Sequence, residues 1–190
     1  MEKTVKKVPF KDTMAGPTVI LLLICLVISA ALAVTYQMTA SQIEKINKEM
    51  ADAARMEVLA DADAFTAVDG ELPEGVAEYY VANNGAGVVV TAQNKSFGGT
   101  ITVMVGIDAE GAITGVKVTA HGDTPGLGTK AHEADYLAAQ YNGKTSTDNA
   151  GSIKDDTSID QVTGATVSSN AVYGCVNYAL AAYAEMGGIN

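Results

Sequence analysis

A length of 190 residues accommodates one compact domain with an appendage. The composition is apolar and acidic at once, with 48% hydrophobic residues and a formal net charge of −10, which argues against nucleic acid as a partner. Cys25, Cys175, His121 and His132 make no ligand pattern, so neither a metal site nor a disulfide is expected.

Thr18 to Tyr36 reads TVILLLICLVISAALAVTY, without charge, Pro or Gly. Such a run spans the roughly 30 Å hydrocarbon core of a membrane as a helix. Lys3, Lys6, Lys7 and Lys11 precede it, whereas the lysines that follow, Lys45 and Lys48, are matched by Glu44 and Glu49. The positive-inside rule therefore expects residues 1–17 in the cytoplasm, 18–36 as a single-pass anchor in the cell membrane, and the remainder extracytoplasmic. A cleaved signal peptide ending near Ala31-Leu32-Ala33 is the competing reading, and the apolar run through Val34 weighs against it. Residues 37–190 carry 8 of the 12 basic and 20 of the 22 acidic residues, a net of −12, which suits a soluble exported domain.

Next, Ser41 reads as the cap of a helix running to about Ala64, with Ile43, Ile46, Met50, Ala53, Ala54 and Leu59 in one stripe. Phe65 to Gly75 reads as an acidic loop, so 37–75 forms a connecting helix and loop ahead of a domain over 76–190. Val76–Val81 and Val88–Val90 are expected strands around a turn at Asn83-Asn84-Gly85. In Thr100–Ile107, Ile101, Val103, Val105 and Ile107 share one face at period two. Asp108-Ala109-Glu110-Gly111 turns the chain into a partner strand over Ala112–His121. A helix over Ala131–Tyr141, a loop over Thr145–Thr157, a short strand over Ile159–Val162 and a last helix over Ser168–Glu185 complete the order. The fold class is α+β: a mainly antiparallel sheet with flanking helices, preceded by one N-terminal transmembrane helix.

Asp160-Gln161-Val162-Thr163-Gly164-Ala165-Thr166-Val167-Ser168-Ser169 carries the strongest chemical signal. Gly164 and Ala165 let the backbone approach closely, and the unpaired first amides of the following helix suit a phosphate. The same turn is also compatible with Thr166 or Ser168 acting as a plain helix cap. His121-Gly122-Asp123-Thr124-Pro125-Gly126-Leu127-Gly128 combines amides, a carboxylate and an apolar side chain, a mixture that suits a planar heteroaromatic ring. Lys95-Ser96-Phe97-Gly98-Gly99 is a glycine-rich hairpin entry, by itself an ordinary turn or bulge.

Together and in this order, these stretches resemble the FMN-binding domain of the G subunit of Rnf complexes and of the C subunit of sodium-pumping NADH:quinone reductases. The matches are Gly98-Gly99-Thr100-Ile101, Gly106-Ile107-Asp108 with Gly111 to Val116, the loop His121–Gly128, and Asp160 with Thr163-Gly164-Ala165-Thr166. They cover roughly residues 76–185, and Asp123 stands where the family usually has Glu. The resemblance implies FMN held covalently through its phosphate on Thr166, with Thr163, Gly164, Ala165, Ser168, His121, Asp123, Thr124, Pro125, Gly126, Leu127 and Gly128 around it. It implies a separate magnesium-dependent flavin transferase that takes FAD as donor and recognises Asp160, so Thr166 is an acceptor and the chain has no catalytic nucleophile.

The function implied is an electron-transfer subunit of an Rnf-type ferredoxin:NAD⁺ oxidoreductase that translocates ions, partnered by the other subunits of that complex. The modest length favours this over the C-type quinone-reductase subunit. A flavinylated protein feeding an external acceptor and a non-redox anchored binding module are the other readings. His121 and Tyr173 fit structural roles as well as flavin contacts.

Overall fold

A computed structural model describes residues 15–133, 136–148 and 151–187. The chain forms two compact units, Met1–Glu49 and Met50–Asn190. Helix α1 runs unbroken over Ala15–Val58. Its first part is long and apolar enough to cross a membrane, with a mean hydropathy of 2.8 in the most apolar window.

The expected cap at Ser41 is corrected: Ser41 lies inside α1. No Pro or Gly interrupts the ladder there, and the hydroxyls of Thr35 and Thr39 bond back to the carbonyls of Ala31 and Thr35, each at 2.9 Å. The helix also ends before Ala64. The Asp63 carboxylate instead accepts the amides of Ala64 at 2.6 Å and Asn84 at 3.1 Å, fixing the chain in a turn.

Five strands follow as an antiparallel meander in sequential order: β1 Phe65–Ala67, β2 Val76–Ala82, β3 Gly87–Ser96, β4 Gly99–Asp108 and β5 Ile113–Ala120. The expected loop over Phe65–Gly75 thus contains an edge strand, because Phe65–Ala67 pairs with Tyr80–Ala82 on the open side of β2. The period-two reading of β4 holds: Ile101, Val103, Val105 and Ile107 are wholly buried. Against them pack Ala171, Val172, Cys175, Val176, Ala179 and Ala182 of helix α2, Thr166–Glu185. Each fully buried aliphatic side chain contributes about 1.5–3 kcal/mol.

The opposite sheet face is covered by the end of α1, where Ala54, Val58 and Leu59 meet Ala82, Val89 and Met104. A side chain on Gly106 would lie 2.2 Å from the Val58 carbonyl oxygen, so the helix end sits on bare sheet backbone. Arg55 fastens it further, 2.5 Å from Asp52, 3.6 Å from Glu78 and 3.7 Å above the Tyr80 ring. Glu57 pairs with Lys117 of β5.

Three expectations after β5 change. The helix expected over Ala131–Tyr141 is two 3₁₀ turns, Gly128–His132 and Ala138–Tyr141. Glu133 ends the first with extended backbone, and Ala134 and Asp135 lie outside the described residues. Ile159–Val162 is not a strand, although Ile159 and Val162 are buried. Side chains replace the missing strand partner: Gln140 accepts the Asp160 amide at 2.7 Å and donates to its carbonyl at 3.1 Å, and Ser169 Oγ accepts the Val162 amide at 3.1 Å. Finally, α2 begins at Thr166 rather than Ser168.

Candidate functional site

Asp123 organises the region. It lies just beyond β5 and is only 4% exposed. Its carboxylate accepts Ser96 Oγ at 2.5 Å, the Gly98 amide at 2.7 Å and His132 Nε2 at 3.0 Å, and it also bonds Ser168. One buried carboxylate therefore ties together the β3–β4 turn, the first 3₁₀ turn and the start of α2. Burial pushes its pKa up, but the bonds from Ser96, Gly98 and Ser168 and the adjacent His132 hold it below the ordinary carboxylate range.

His132 is pushed the other way from a charged state. Burial and the neighbouring His121 lower its pKa against the pull of Asp123. It stacks obliquely on His121 with centroids 4.2 Å apart. A neutral ring protonated at Nε2 satisfies the contact to Asp123, and its Nδ1 is buried with no hydrogen-bond partner among the described residues.

In front of this hub opens a cavity of about 280 Å³ lined by Phe97, Thr124, Leu127, Gly128, Gly164 to Val167 and Ser168. Gly164 turns the chain with φ +82°, and a Cβ there would touch Leu127 Cδ1 at 3.4 Å. Ala165 occupies the N-cap position of α2 without a side-chain cap bond. The amides of Thr166, Val167 and Ser168 have no backbone acceptor among the described residues. Neither Thr166 nor Ser168 acts as the cap: Thr166 lines the cavity, half-buried, while Ser168 turns inward to Asp123. The arrangement offers free amide donors and a hydroxyl at one end, and apolar side chains from Leu127, Phe97 and Val167 elsewhere on the wall.

The structure thus brings Thr124, Leu127, Gly128, Gly164, Ala165, Thr166 and Ser168 to one cavity. It does not put His121, Asp123, Pro125, Gly126 or Thr163 on the wall. His121, Pro125, Gly126 and Thr163 are exposed, and Asp123 is buried behind the wall. Asp160 is exposed, with its backbone held by Gln140. Phe97 and Val167 were missed by sequence reasoning. A large aromatic inside a glycine-rich hairpin turn was the available signal for Phe97; Val167 offered none beyond its adjacency to Thr166.

The FMN-binding domain family matches residues 96–181, the stretch from the β3–β4 turn through most of α2. Over 188 aligned residues the chain is 32% identical to the G subunit of the Na⁺-translocating ferredoxin:NAD⁺ oxidoreductase complex of Acetobacterium woodii, covering 88% of this chain and 90% of that relative. The chain belongs to the G-subunit family of Rnf-type ion-translocating oxidoreductase complexes. The G subunit of the ion-translocating oxidoreductase complex of Stutzerimonas stutzeri is likewise 32% identical, over 79% of this chain and 72% of its own length. The corresponding subunit of the proton-translocating ferredoxin:NAD⁺ oxidoreductase complex of Clostridium ljungdahlii is 28% identical over 78% and 80%. The names of these relatives carry both Na⁺ and proton as the translocated ion.

Proposed function

We propose that this chain is a membrane-anchored electron-transfer component of an Rnf-type complex, with FMN joined through its phosphate to Thr166 Oγ1. The observation that carries the reading is the placement of half-buried Thr166 at the start of α2, where three first-turn amides have no backbone acceptor among the described residues, in a cavity that also presents the apolar side chains of Leu127, Phe97 and Val167. The donor set fits the group: amides and the positive end of α2 face a phosphate, and Leu127, Phe97 and Val167 face a flat ring.

When bound, FMN supplies reversible electron transfer; the chain supplies attachment, orientation and a chosen degree of solvent exposure. Thr166 is an acceptor. Its hydroxyl is too weak an acid to act unaided, so a separate transferase exchanges the Oγ1–H bond for an Oγ1–P bond, taking FAD as donor and releasing AMP and a proton. Asp160, exposed and held through its backbone by Gln140, serves as the recognition contact for that enzyme. Thr163, Gly164 and Ala165 shape the turn, Thr124, Leu127 and Gly128 form the facing wall, and His121, Pro125 and Gly126 border it. Ser168, itself on the wall, is braced from behind by Asp123.

In the proposed arrangement residues 1–17 are cytoplasmic, 18–36 cross the membrane once, 37–75 connect, and 76–190 hold the flavin outside the cytoplasm, facing the other subunits. Covalent attachment suits that side, where free FMN is not replenished.

Co-expression with a flavin transferase tests the reading. The wild-type chain should fluoresce as flavin on a denaturing gel and gain the mass of FMN less one water, and Thr166→Ala should do neither. A wild-type chain without flavin, beside a labelled control substrate, overturns it.

A further inference from the structure

Outside α1, the large apolar side chains that remain exposed among the described residues are Phe97, Leu127, Tyr136 and Val167. Scattered apolar residues on a surface need no explanation, but three of these four line the same cavity. Phe97 is the most exposed of them, at 75%, and the only aromatic side chain in the wall.

Its mount is rigid. Ser96 pairs with Gly99 in the β3–β4 ladder, leaving Phe97-Gly98 as a two-residue turn. Both flanking residues are fastened to the Asp123 carboxylate, Ser96 through its hydroxyl and Gly98 through its amide. The Gly98 backbone is pressed so closely on Gly122 that an added Cβ would lie 1.9 Å from the Gly122 oxygen. An aromatic ring left in solvent on a backbone this constrained loses little backbone entropy on meeting a ligand.

We propose that Phe97 stacks on one face of the flavin ring, orienting the ring and limiting its contact with water. This rests on the reading that the cavity carries FMN on Thr166. The chemistry is that of aromatic contact: an apolar ring against a flat heteroaromatic, with offset or edge-on packing favoured by the two quadrupoles. Leu127 and Val167 supply the remaining apolar wall, and neither can stack as an aromatic ring does. Phe97 is thus a positioning residue for the cofactor.

The test uses the full-length chain, flavinylated by co-expression and purified in detergent, as wild type, Phe97→Trp, Phe97→Tyr and Phe97→Leu. Intact mass reports loading, and flavin emission lifetime with iodide quenching reports the ring's surroundings. An indole or phenol in contact with an excited flavin quenches it by lending an electron that returns at once, leaving no net chemistry. With loading equal, Phe97→Trp and Phe97→Tyr should shorten the lifetime several-fold, and Phe97→Leu should raise iodide quenching about twofold or more as one face is uncovered. Loaded Trp and Tyr variants with the wild-type lifetime would overturn the stacking. A wild-type chain lacking the flavin mass would overturn the Thr166 reading and the stacking with it, a case the mass spectrum separates from a bound but unquenched flavin.

Discussion

Gly98 donates its amide to the Asp123 carboxylate at 2.7 Å, placing the β3–β4 turn directly over a buried acid from the loop after β5. Two segments distant in sequence thus share one carboxylate, with α2 joined to it through Ser168. The acid stands behind the cavity rather than in it. Its oxygens are taken up by contacts within the protein, to Ser96, Gly98 and His132.

Replacing Asp123 with Ala should leave the Gly98 amide and the Ser96, Ser168 and His132 groups without their shared acceptor. The expected cost is about 2–4 kcal/mol of domain stability, read by urea unfolding, with flavin loading reduced in proportion to misfolding. Asp123→Asn keeps the shape but turns one acceptor into a donor, and should fall between Ala and wild type. A wild-type midpoint for Asp123→Ala would remove the carboxylate from its structural role.

Glycine substitutions separate close approach from backbone conformation. Gly98→Ala forces a Cβ to 1.9 Å from a backbone oxygen, so it should cost about 3 kcal/mol or more. Gly126 has φ +78° with open space around the Cβ position, so Gly126→Ala should cost only about 1–2 kcal/mol. Equal losses in thermal unfolding would contradict the packing at the hairpin turn.

Much of this was legible beforehand, for reasons that differ by element. In β4 the alternation of Ile101, Val103, Val105 and Ile107 revealed the strand because one face is wholly buried by α2. The Asp108–Gly111 turn was legible because its chemistry is local: Asp108 itself accepts the amides of Glu110 and Ala112. The unbroken α1 was not, since Ser41 is as good a cap residue as any when seen without the ladder around it. The 3₁₀ turns and the irregular Ile159–Val162 depend on distant partners, Asp123 with His132 and Gln140 with Asp160, that no local pattern encodes. The motif placed Thr166 in the cavity wall, whereas the inward turn of Asp123 is set by tertiary contacts alone.

Acid should destabilise the domain in two stages. Asp156 is buried and its pKa is lowered to about 2: burial raises it, but bonds from Ser158, Asp148 and Tyr173 more than compensate. Asp123 is lowered too, so the folded state holds fewer carboxyl protons than the unfolded chain. The stability these groups provide is full above about pH 4 and is lost as pH falls through the folded values. His132, facing Asp123 and His121, also has a lowered pKa. The unfolded chain therefore takes up its imidazole proton first, and loss begins as pH drops below about 6.5. Tm should fall steadily from pH 7 to 3, and His132→Gln should flatten the upper part of that slope. A Tm that rises on acidification would contradict these assignments.

Cys175 is fully buried on the sheet-facing side of α2, and its thiol is pushed up to about 12 by burial. In the native protein it should resist alkylation at pH 8 and become modified only in denaturant, as followed by peptide mass. Rapid native labelling would mean that α2 opens readily from the sheet.

The most direct measurement is site localisation of the flavin. Trypsin cleavage after Lys154 releases a peptide that begins at Asp155 and holds Thr157, Thr163 and Thr166, with no Lys or Arg over residues 155–190. Fragmentation of that peptide from the flavinylated chain should place the whole FMN mass on Thr166, with Thr157, Thr163, Ser168 and Ser169 unmodified. The FMN mass on any other residue, or its absence from a chain exposed to an active transferase, would contradict the account.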